Sequence, residues 1–400
     1  MTQTVPVSPE RFDQQEHLQV IDAVRGYAIL IVIAVHTPGH VPELVWPALR
    51  VLFMGFYGVQ LFFLASAVTL LMSWHRSTDA FAMRSQKFLL RRFFRIAPFY
   101  YLAVLIYWFA YQVPAEGFDF EVLLASLLFY NAWSPYLVPT VAGWTPVPGG
   151  WSIGVEFCFY FVFPLLASCV TTLRRALAFV ALALGVMLLA SHFGQQLYPE
   201  LDAEARANFL YFWPPNQLVI FALGFLLYYL IKDPAVRARI EASRITANQA
   251  SLAMLGVVLG LSFYGPHKFF DWSTGQPPTH LLMAVCFVPW VLVLFLKPGG
   301  LAVNAAICGL GRVSFSAYVL HFMVLRYLGR LLHAVWPLPE AGIYSVAFEL
   351  VFLTLAVLSV RWLAELSYRV VEQPGIDLGK RLIRALHPRP LPVPGEQTGS

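Results

Sequence analysis

Long apolar runs separated by short polar segments make up most of the chain. About ten of these runs approach the length, roughly 20 residues, that a helix needs to cross the hydrocarbon core of a bilayer. The pattern predicts an all-α integral membrane protein with about ten transmembrane helices. The predicted spans cover residues 19–37, 52–74, 97–112, 151–170, 175–193, 212–231, 249–265, 279–296, 313–333 and 343–363.

One further apolar run, residues 120–133, is too short to span, and Pro- and Gly-rich sequence follows it. Lys and Arg collect in cytoplasmic loops, so their positions decide how this run is placed. With ten spans and the amino terminus inside, only Arg50, Arg206 and Lys268 fall in external loops. An eleventh crossing would invert every later loop and move many basic residues outside. The run is therefore predicted to be re-entrant or interfacial, with both chain termini in the cytoplasm.

The sequence predicts one membrane domain between two polar segments. Residues 1–17 are expected to form a cytoplasmic leader, and the first apolar run after it lacks a cleavage pattern and is expected to stay in the protein. Residues 18–376 form the predicted membrane domain. Residues 377–400 form a cytoplasmic tail that is expected to be disordered, with a Pro-rich run after Pro388.

Composition supports the membrane class and excludes several others. Hydrophobic residues make up 58% of the chain and charged residues only 12%, against about 25% in soluble domains. The net charge of +5 does not indicate nucleic-acid binding, because the basic residues lie in short clusters between apolar runs. No CxxC spacing is present, so neither a metal site nor a disulfide framework is predicted from the four cysteines, Cys158, Cys169, Cys286 and Cys308.

Ionisable residues inside spans are costly and therefore indicate function. The first span carries Asp22, Arg25 and His36. Arg25 and His36 are three helical turns apart, so they share a face and lie about 16 Å apart along the axis. The alternative is structural: Asp22 and Arg25 pair near the headgroups, and His36 is an interfacial histidine with satisfied hydrogen bonds.

Two further polar groups lie at the third and fourth spans. Arg91, Arg92 and Arg95 stand at the cytoplasmic entrance of the third span, where a planar guanidinium can bind phosphate or simply anchor the helix at anionic lipid. Glu156 enters the membrane in the fourth span. It could relay protons, orient a histidine or pair with one of the arginines.

The ninth span places three polar side chains on one face. Ser314, Tyr318 and His321 recur at helical spacing. A histidine on such a face is more often hydrogen-bonded packing than a catalyst, and His321 can be interpreted either way.

Together these segments resemble the membrane-bound acyltransferase 3 family over about residues 17–376. Phe157 stands where that family often has a glutamate, and Ala67 and Gln60 replace its usual glycine and frequent aspartate. The resemblance rests on six motifs in order: LQVIDAVRGYAILIVIAVH, GVQLFFLASA, RRFFRIAPFYY, WSIGVEFCFYFVFP, GRVSFSAYVLH and EQPG.

The resemblance implies transfer of an acyl group, usually acetyl, from acyl-coenzyme A to an extracytoplasmic sugar or similar acceptor. It implies that His36 is the catalytic residue, as general base or acyl carrier, and that Arg25 is its essential partner. Glu156 would orient His36 or hold charge in the path. Three arginines are expected to bind acyl-coenzyme A: Arg91, Arg92 and Arg95. The residues expected on the oxyanion or substrate side are Trp151, Ser152, Tyr160, Tyr318 and His321.

The same resemblance implies a multi-pass protein of the bacterial cytoplasmic (inner) membrane. Acetyl-coenzyme A is expected as a co-substrate rather than as a permanently bound cofactor, and no metal is expected. A glycan and membrane lipid are the expected partners, and a homo-oligomer is compatible with the sequence. The main alternative is a transporter or flippase of a lipid-linked glycan or small solute, and a receptor or assembly module is a second alternative.

Overall fold

The computed structural model describes residues 9–41, 44–111, 118–138, 144–265, 267–335 and 342–388, with side chains from residue 18 onward except at Ile343. Among these residues there is no β-strand, which confirms the predicted all-α class. The helices are α1 Pro9–His36, α2 Trp46–Phe53, α3 Gly58–His75, α4 Phe81–Tyr111, α5 Phe120–Leu127, α6 Gly150–Cys169, α7 Leu173–Leu197, α8 Ala203–Phe212, α9 Pro214–Lys232, α10 Pro234–Ala242, α11 Ala247–Leu261, α12 Thr279–Leu296, α13 Ala305–Arg312, α14 Ser314–Val335, α15 Ile343–Ser367 and α16 Gln373–Leu386.

The described residues form eight helical segments long and apolar enough to cross a membrane. Two further pairs are sharply bent, α10 with α11 by 95° and α13 with α14 by 83°, and counting each pair as one span gives ten. The prediction of about ten spans is confirmed. Helix α5 has eight residues and is about 12 Å long, so it cannot cross the bilayer, as expected for a re-entrant or interfacial segment.

Both polar ends of the chain contain more helix than the sequence pattern indicates. Helix α1 begins at Pro9, inside the predicted leader. At the other end, a π-helical turn at Tyr368–Glu372 joins α15 to α16, and α16 continues to Leu386. The expectation of disorder from residue 377 is therefore wrong up to Leu386, because Gly379 allows α16 to pack closely on Phe94 of α4. The Pro-rich run lies outside the described residues.

Helix α1 is the central element of the fold and packs against α3, α13 and α14. Glycines make these contacts close: a Cβ at Gly26 would lie 2.1 Å from the carbonyl oxygen of Ile307, and one at Gly311 would lie 1.7 Å from that of Asp22. Gly58 of α3 meets the carbonyl oxygen of Ala28 in the same way. These approaches hold Asp22, Arg25 and His36 in the middle of the bundle.

The start of α6 lies inside the protein rather than at its surface. Gly149, with φ of +78°, turns the chain into the helix in a conformation that favours glycine. Its carbonyl oxygen accepts a hydrogen bond of 3.0 Å from the Tyr318 hydroxyl and lies 3.1 Å from Ser152 Oγ. The first turn of α6 is thereby tied to α14, and Glu156 follows one turn further along.

Candidate active site

An internal cavity lies between α1, α3, α4, α6 and α14. Charged groups line one part of it, and aromatic and hydroxyl groups line the rest. Charges inside a membrane-spanning bundle are costly to keep, so their convergence on one cavity indicates a functional site. The polar residues that line it are Arg25, Ser66, Arg92, Arg95, Ser152, Glu156, Tyr160, Ser314 and Tyr318.

Glu156 lies among positive charges and hydroxyl groups in this cavity. Its Oε1 accepts a hydrogen bond of 2.5 Å from Ser66 Oγ. The positive charges of Arg25 and Arg92 lie close enough to attract its carboxylate, and the Tyr160 hydroxyl hydrogen-bonds to it. His36 is not among the contacts of Glu156 in the described part of the chain. Of the two roles expected for Glu156, the geometry favours charge balance over orientation of the histidine.

A second carboxylate, Glu372, balances Arg95. Glu372 is 1% exposed, and its Oε1 lies 4.0 Å from Arg95 Nε. Its other oxygen, Oε2, accepts a hydrogen bond of 3.0 Å from Ser316 Oγ. Sequence reasoning assigned no role to Glu372, although the EQPG motif that contains it was part of the family resemblance. Its place in the π-helical turn, next to α4, could not be read from the motif.

The arginines predicted to bind the donor divide into two groups. Arg92 and Arg95 line the cavity. Arg91 is exposed and lies near Asp79 instead, so the structure does not bring it to the cavity. Three guanidinium groups, those of Arg25, Arg92 and Arg95, line the cavity, and Glu156 is the one carboxylate among its described lining residues, so the lining suits an anionic ligand. Behind the lining, Glu372 lies beside Arg95, and Asp22 is close enough to attract Arg25 and Arg95.

A chain of hydroxyls closes the cavity on the side away from Arg92 and Arg95. Ser152 Oγ lies 2.8 Å from the Tyr318 hydroxyl, which donates in turn to the carbonyl oxygen of Gly149. The Tyr318 ring lies 6.0 Å from that of Phe62 and 5.5 Å from that of His321. Tyr318 therefore has one side on the cavity and the other on a histidine.

His36 and His321 lie together beyond Tyr318. Their ring centroids are 5.3 Å apart, and Phe322 lies 4.4 Å from His36 and 4.1 Å from His321. His321 Nδ1 is 2.5 Å from the Tyr318 carbonyl oxygen, so this nitrogen carries the proton. His321 Nε2 is then an acceptor, and it is buried without a hydrogen-bond partner in the described structure. Two histidines from opposite ends of the sequence thus share one site.

A buried carboxylate supports the end of α1 next to His36. Glu349 of α15 is 4% exposed and accepts a hydrogen bond from the Thr37 hydroxyl, which also lies 2.8 Å from the Ala34 carbonyl oxygen. Sequence reasoning overlooked Glu349. The signal was present, since a lone glutamate in the apolar run of residues 343–363 is unusual.

Trp151 lies apart from the other candidates. Its ring packs on those of Tyr211, at 5.4 Å, and Phe212, at 4.5 Å, and it does not line the cavity. Ser152 and Tyr160, the other two residues considered as oxyanion donors, do line it. The indole of Trp151 therefore fixes α6 against α8.

The fold and the cavity describe a multi-pass membrane protein with an arginine-lined cavity on one side of Tyr318 and a histidine pair on the other. Residues 18–365 match the acyltransferase domain of the acyltransferase 3 family, and the chain belongs to that family. The resemblance noted in the sequence is confirmed, and the protein is of the acyltransferase class.

The chain is also similar to one characterised acyltransferase along nearly its whole length. It is 28% identical over 396 residues to acyltransferase MdmB of Streptomyces mycarofaciens, and the match covers 93% of this chain and 95% of the relative. A comparison with solved structures found no significant match.

Proposed function

We propose that the protein transfers an acyl group, acetyl in the first instance, from cytoplasmic acyl-coenzyme A to a hydroxyl of an extracytoplasmic glycan or similar acceptor. The bacterial inner membrane is the proposed location. The observation that carries the proposal is the arrangement around Tyr318. An arginine-lined cavity lies on one side of it and the His36–His321 pair on the other.

The donor is recognised at the arginine end. Coenzyme A is a cytoplasmic polyanion, and guanidinium groups bind phosphate through two parallel hydrogen bonds. Arg92 and Arg95 would hold the phosphates, while Glu156 and Glu372 limit the surplus positive charge. The pantetheine arm would then point its thioester toward Tyr318.

The reaction takes place at the histidine pair. His36 accepts the proton of the acceptor hydroxyl while the hydroxyl oxygen attacks the thioester carbonyl carbon. A carbon–oxygen bond forms, the carbon–sulfur bond breaks, and the proton passes to the departing sulfur as free coenzyme A thiol. In the competing version, a His36 nitrogen attacks first, and the acyl-imidazole then reacts with the hydroxyl.

His321 supports His36 in either version. Its unpaired Nε2 lies in the same apolar pocket and can stabilise the proton that His36 gains. Ser152 and Tyr318 provide hydroxyls beside the path of the thioester, where an oxyanion develops. The thioester reaches His36 only after its acyl end passes the ring of Tyr318.

The first test measures acetyl-coenzyme A binding and thiol release by purified protein in detergent or nanodiscs. His36→Ala is expected to retain donor binding and to lose about 10²- to 10⁴-fold in transfer, as is typical for removal of a general base. His192→Ala is the matched control, because His192 is exposed on α7 and away from the cavity. Unchanged turnover in His36→Ala would exclude His36 as the catalytic residue.

The donor site is tested with two neighbouring arginines. Arg95→Ala is expected to weaken acetyl-coenzyme A binding by about tenfold or more, since it removes a charge-assisted contact with phosphate. Arg91→Ala, its control on the exposed surface of the same helix, should bind the donor as the wild type does. Equal acetyl-coenzyme A affinity in the two variants would show that Arg95, like Arg91, anchors the helix at the membrane and does not bind the donor. Failure of the wild type to bind any acyl-coenzyme A would favour transport over transfer.

A further inference from the structure

A second cavity opens at the end of α1 that carries His36. It lies between α2, α8, the end of α11 and the loop at residues 262–278, opposite the arginine-lined cavity. Six Trp, Phe and Tyr side chains are among its described lining residues, together with two cations, Arg50 and Lys268. The proposed reaction assigns no role to this cavity.

Phe56 connects the second cavity to the catalytic histidine. It lines the cavity, and its ring meets that of His36 edge-on at 5.8 Å between centroids. Phe53, also in the wall, stacks on Phe56 at 6.0 Å. Phe56 therefore contacts both the cavity and His36.

The charge of the cavity is one-sided. No aspartate or glutamate is among its described lining residues. Lys268 Nζ donates a hydrogen bond to Asn208 Oδ1. The carboxylate of Glu204 is close enough to Lys268 to attract its ammonium group. The guanidinium of Arg50 lies over the rings of Trp46, at 5.1 Å, and Phe263, at 5.9 Å, and has no ion pair in the described structure. Among the described residues, no carboxylate competes with an anion for Arg50.

The wall itself suits a ring that has one apolar face. The flat side chains of Trp46, Phe53 and Tyr57 offer apolar surface, while the Tyr57 hydroxyl and the Asn208 amide offer hydrogen bonds. A pyranose ring has the same combination of apolar face and polar edge. A cationic rim around such a wall selects a sugar that carries a negative group.

We propose that this cavity binds the acceptor and that the acceptor is a glycan with a carboxylate or phosphate near the hydroxyl that is acylated. The inference rests on the proposed function. Arg50 and Lys268 hold the anionic group, the aromatic wall holds the ring, and the hydroxyl enters the histidine site as Phe56 turns aside.

Binding is tested with matched sugars, using purified full-length protein in a neutral detergent without anionic lipid. The probes are methyl β-glucuronide, glucose 1-phosphate and the neutral methyl β-glucoside, with binding measured by saturation-transfer NMR and calorimetry. The two anionic sugars are expected to bind about tenfold more tightly than the neutral one. The double variant Arg50→Gln and Lys268→Gln should lose this preference. Arg330→Gln should keep it, because Arg330 is exposed near the same end of the bundle but outside the cavity.

Three results would overturn the proposal. One is equal or undetectable binding of the three sugars, and another is a preference for anionic sugars that survives the double variant. The third is an Arg50- and Lys268-dependent binding of phosphatidylglycerol, measured by native mass spectrometry, without binding of any sugar. That result would make the cavity a lipid headgroup site.

Thiol release from acetyl-coenzyme A in the same samples separates this proposal from the proposed function. His36-dependent release without a preference for anionic sugars rejects only the acceptor proposal. Absence of both acetyl-coenzyme A binding and thiol release from the wild type rejects the proposed function itself. In the double variant, acetyl-coenzyme A binding should equal that of the wild type, since neither residue lines the donor cavity.

Discussion

At the scale of single residues, the side chain of Glu372 is buried beside Arg95, with 4.0 Å between Oε1 and Nε. Its negative charge opposes the binding of an anionic donor, while its hydrogen bond from Ser316 helps to hold the π-helical turn. Glu372→Gln keeps an acceptor for Ser316 and removes the charge. We expect this variant to bind acetyl-coenzyme A about fivefold more tightly, corresponding to about 1 kcal/mol for a partly exposed charge pair.

The matched control for Glu372 is Glu365→Gln. Glu365 pairs with Arg369 on the exposed surface of α15, so its charge is screened by solvent and it does not contact the cavity. Calorimetric titration of both variants measures the difference. Weaker donor binding by Glu372→Gln, in a protein with unchanged melting temperature, would mean that Glu372 positions Arg95 rather than offsetting its charge.

At the scale of helices, the contact between α1 and α13 depends on Gly26. A Cβ there would lie 2.1 Å from the Ile307 carbonyl oxygen, which is a backbone atom and cannot rotate away. Gly26→Ala is therefore expected to lower stability by about 2 kcal/mol or more, as overpacking does. Thermal unfolding in detergent, followed by circular dichroism, measures the change.

Gly185→Ala is the control for this contact, because nothing lies within 4 Å of the added Cβ in α7. There the better helix propensity of alanine should leave stability unchanged or raise it by about 0.5–1 kcal/mol. Equal melting temperatures for the two variants would contradict the close approach of α1 and α13.

The loop between α11 and α12 has its own pH dependence, centred on Asp271. Hydrogen bonds from the Ser273 and Thr274 side chains lower the pKa of the Asp271 carboxyl to about 2. Because this value lies below the usual pKa of about 3.9, the ionised carboxylate stabilises the turn above about pH 4 and loses this effect as the pH falls toward 2.

Amide hydrogen exchange can follow this turn, in which the Gly275 amide bonds to the Asp271 carbonyl oxygen at 2.8 Å. Protection of the segment around Gly275, corrected for intrinsic exchange, should stay constant from pH 7 to pH 4. Asp271→Ala should lose that protection across the whole range. Protection in the wild type that declines between pH 7 and pH 5 would show that another group controls the loop.

At the scale of the whole molecule, the positive charges predict that the loop between α3 and α4 is cytoplasmic and the end of α7 is external. The prediction can be tested with a variant whose four native cysteines are alanine and that carries one new cysteine, either Thr78→Cys or Gln196→Cys. Both positions are exposed. A membrane-impermeant maleimide added to intact cells should label only Gln196→Cys. Labelling of Thr78→Cys alone would show that the protein has the opposite orientation in the membrane. The donor and acceptor would then bind on the sides opposite to those proposed.

The number of spans could be read from the chain because hydropathy is a local property. Each run long enough to cross the bilayer must do so wherever its neighbours lie, and the short α5 could not. The bend at α13–α14 and the helical continuation of α16 escaped this reasoning, since Gly311 and Gly379 pack there against other helices. The bend at α10–α11 falls where Thr246 and Gln249 form a capping box that starts α11, a local signal that hydropathy does not register.

Local sequence alone was sufficient for the membrane class and the number of spans, and it singled out Arg25, Arg92, Arg95, Glu156 and His36 as candidates, because a charge in an apolar run is costly wherever it packs. Which partners these residues have depends on how distant helices rotate and pack. Thr37 and Glu349 are 312 positions apart. The meeting of His36 with His321, and of Arg95 with Glu372, likewise joins opposite ends of the chain. Periodicity within one helix carries no information about such pairs, so only the packed bundle defines the site.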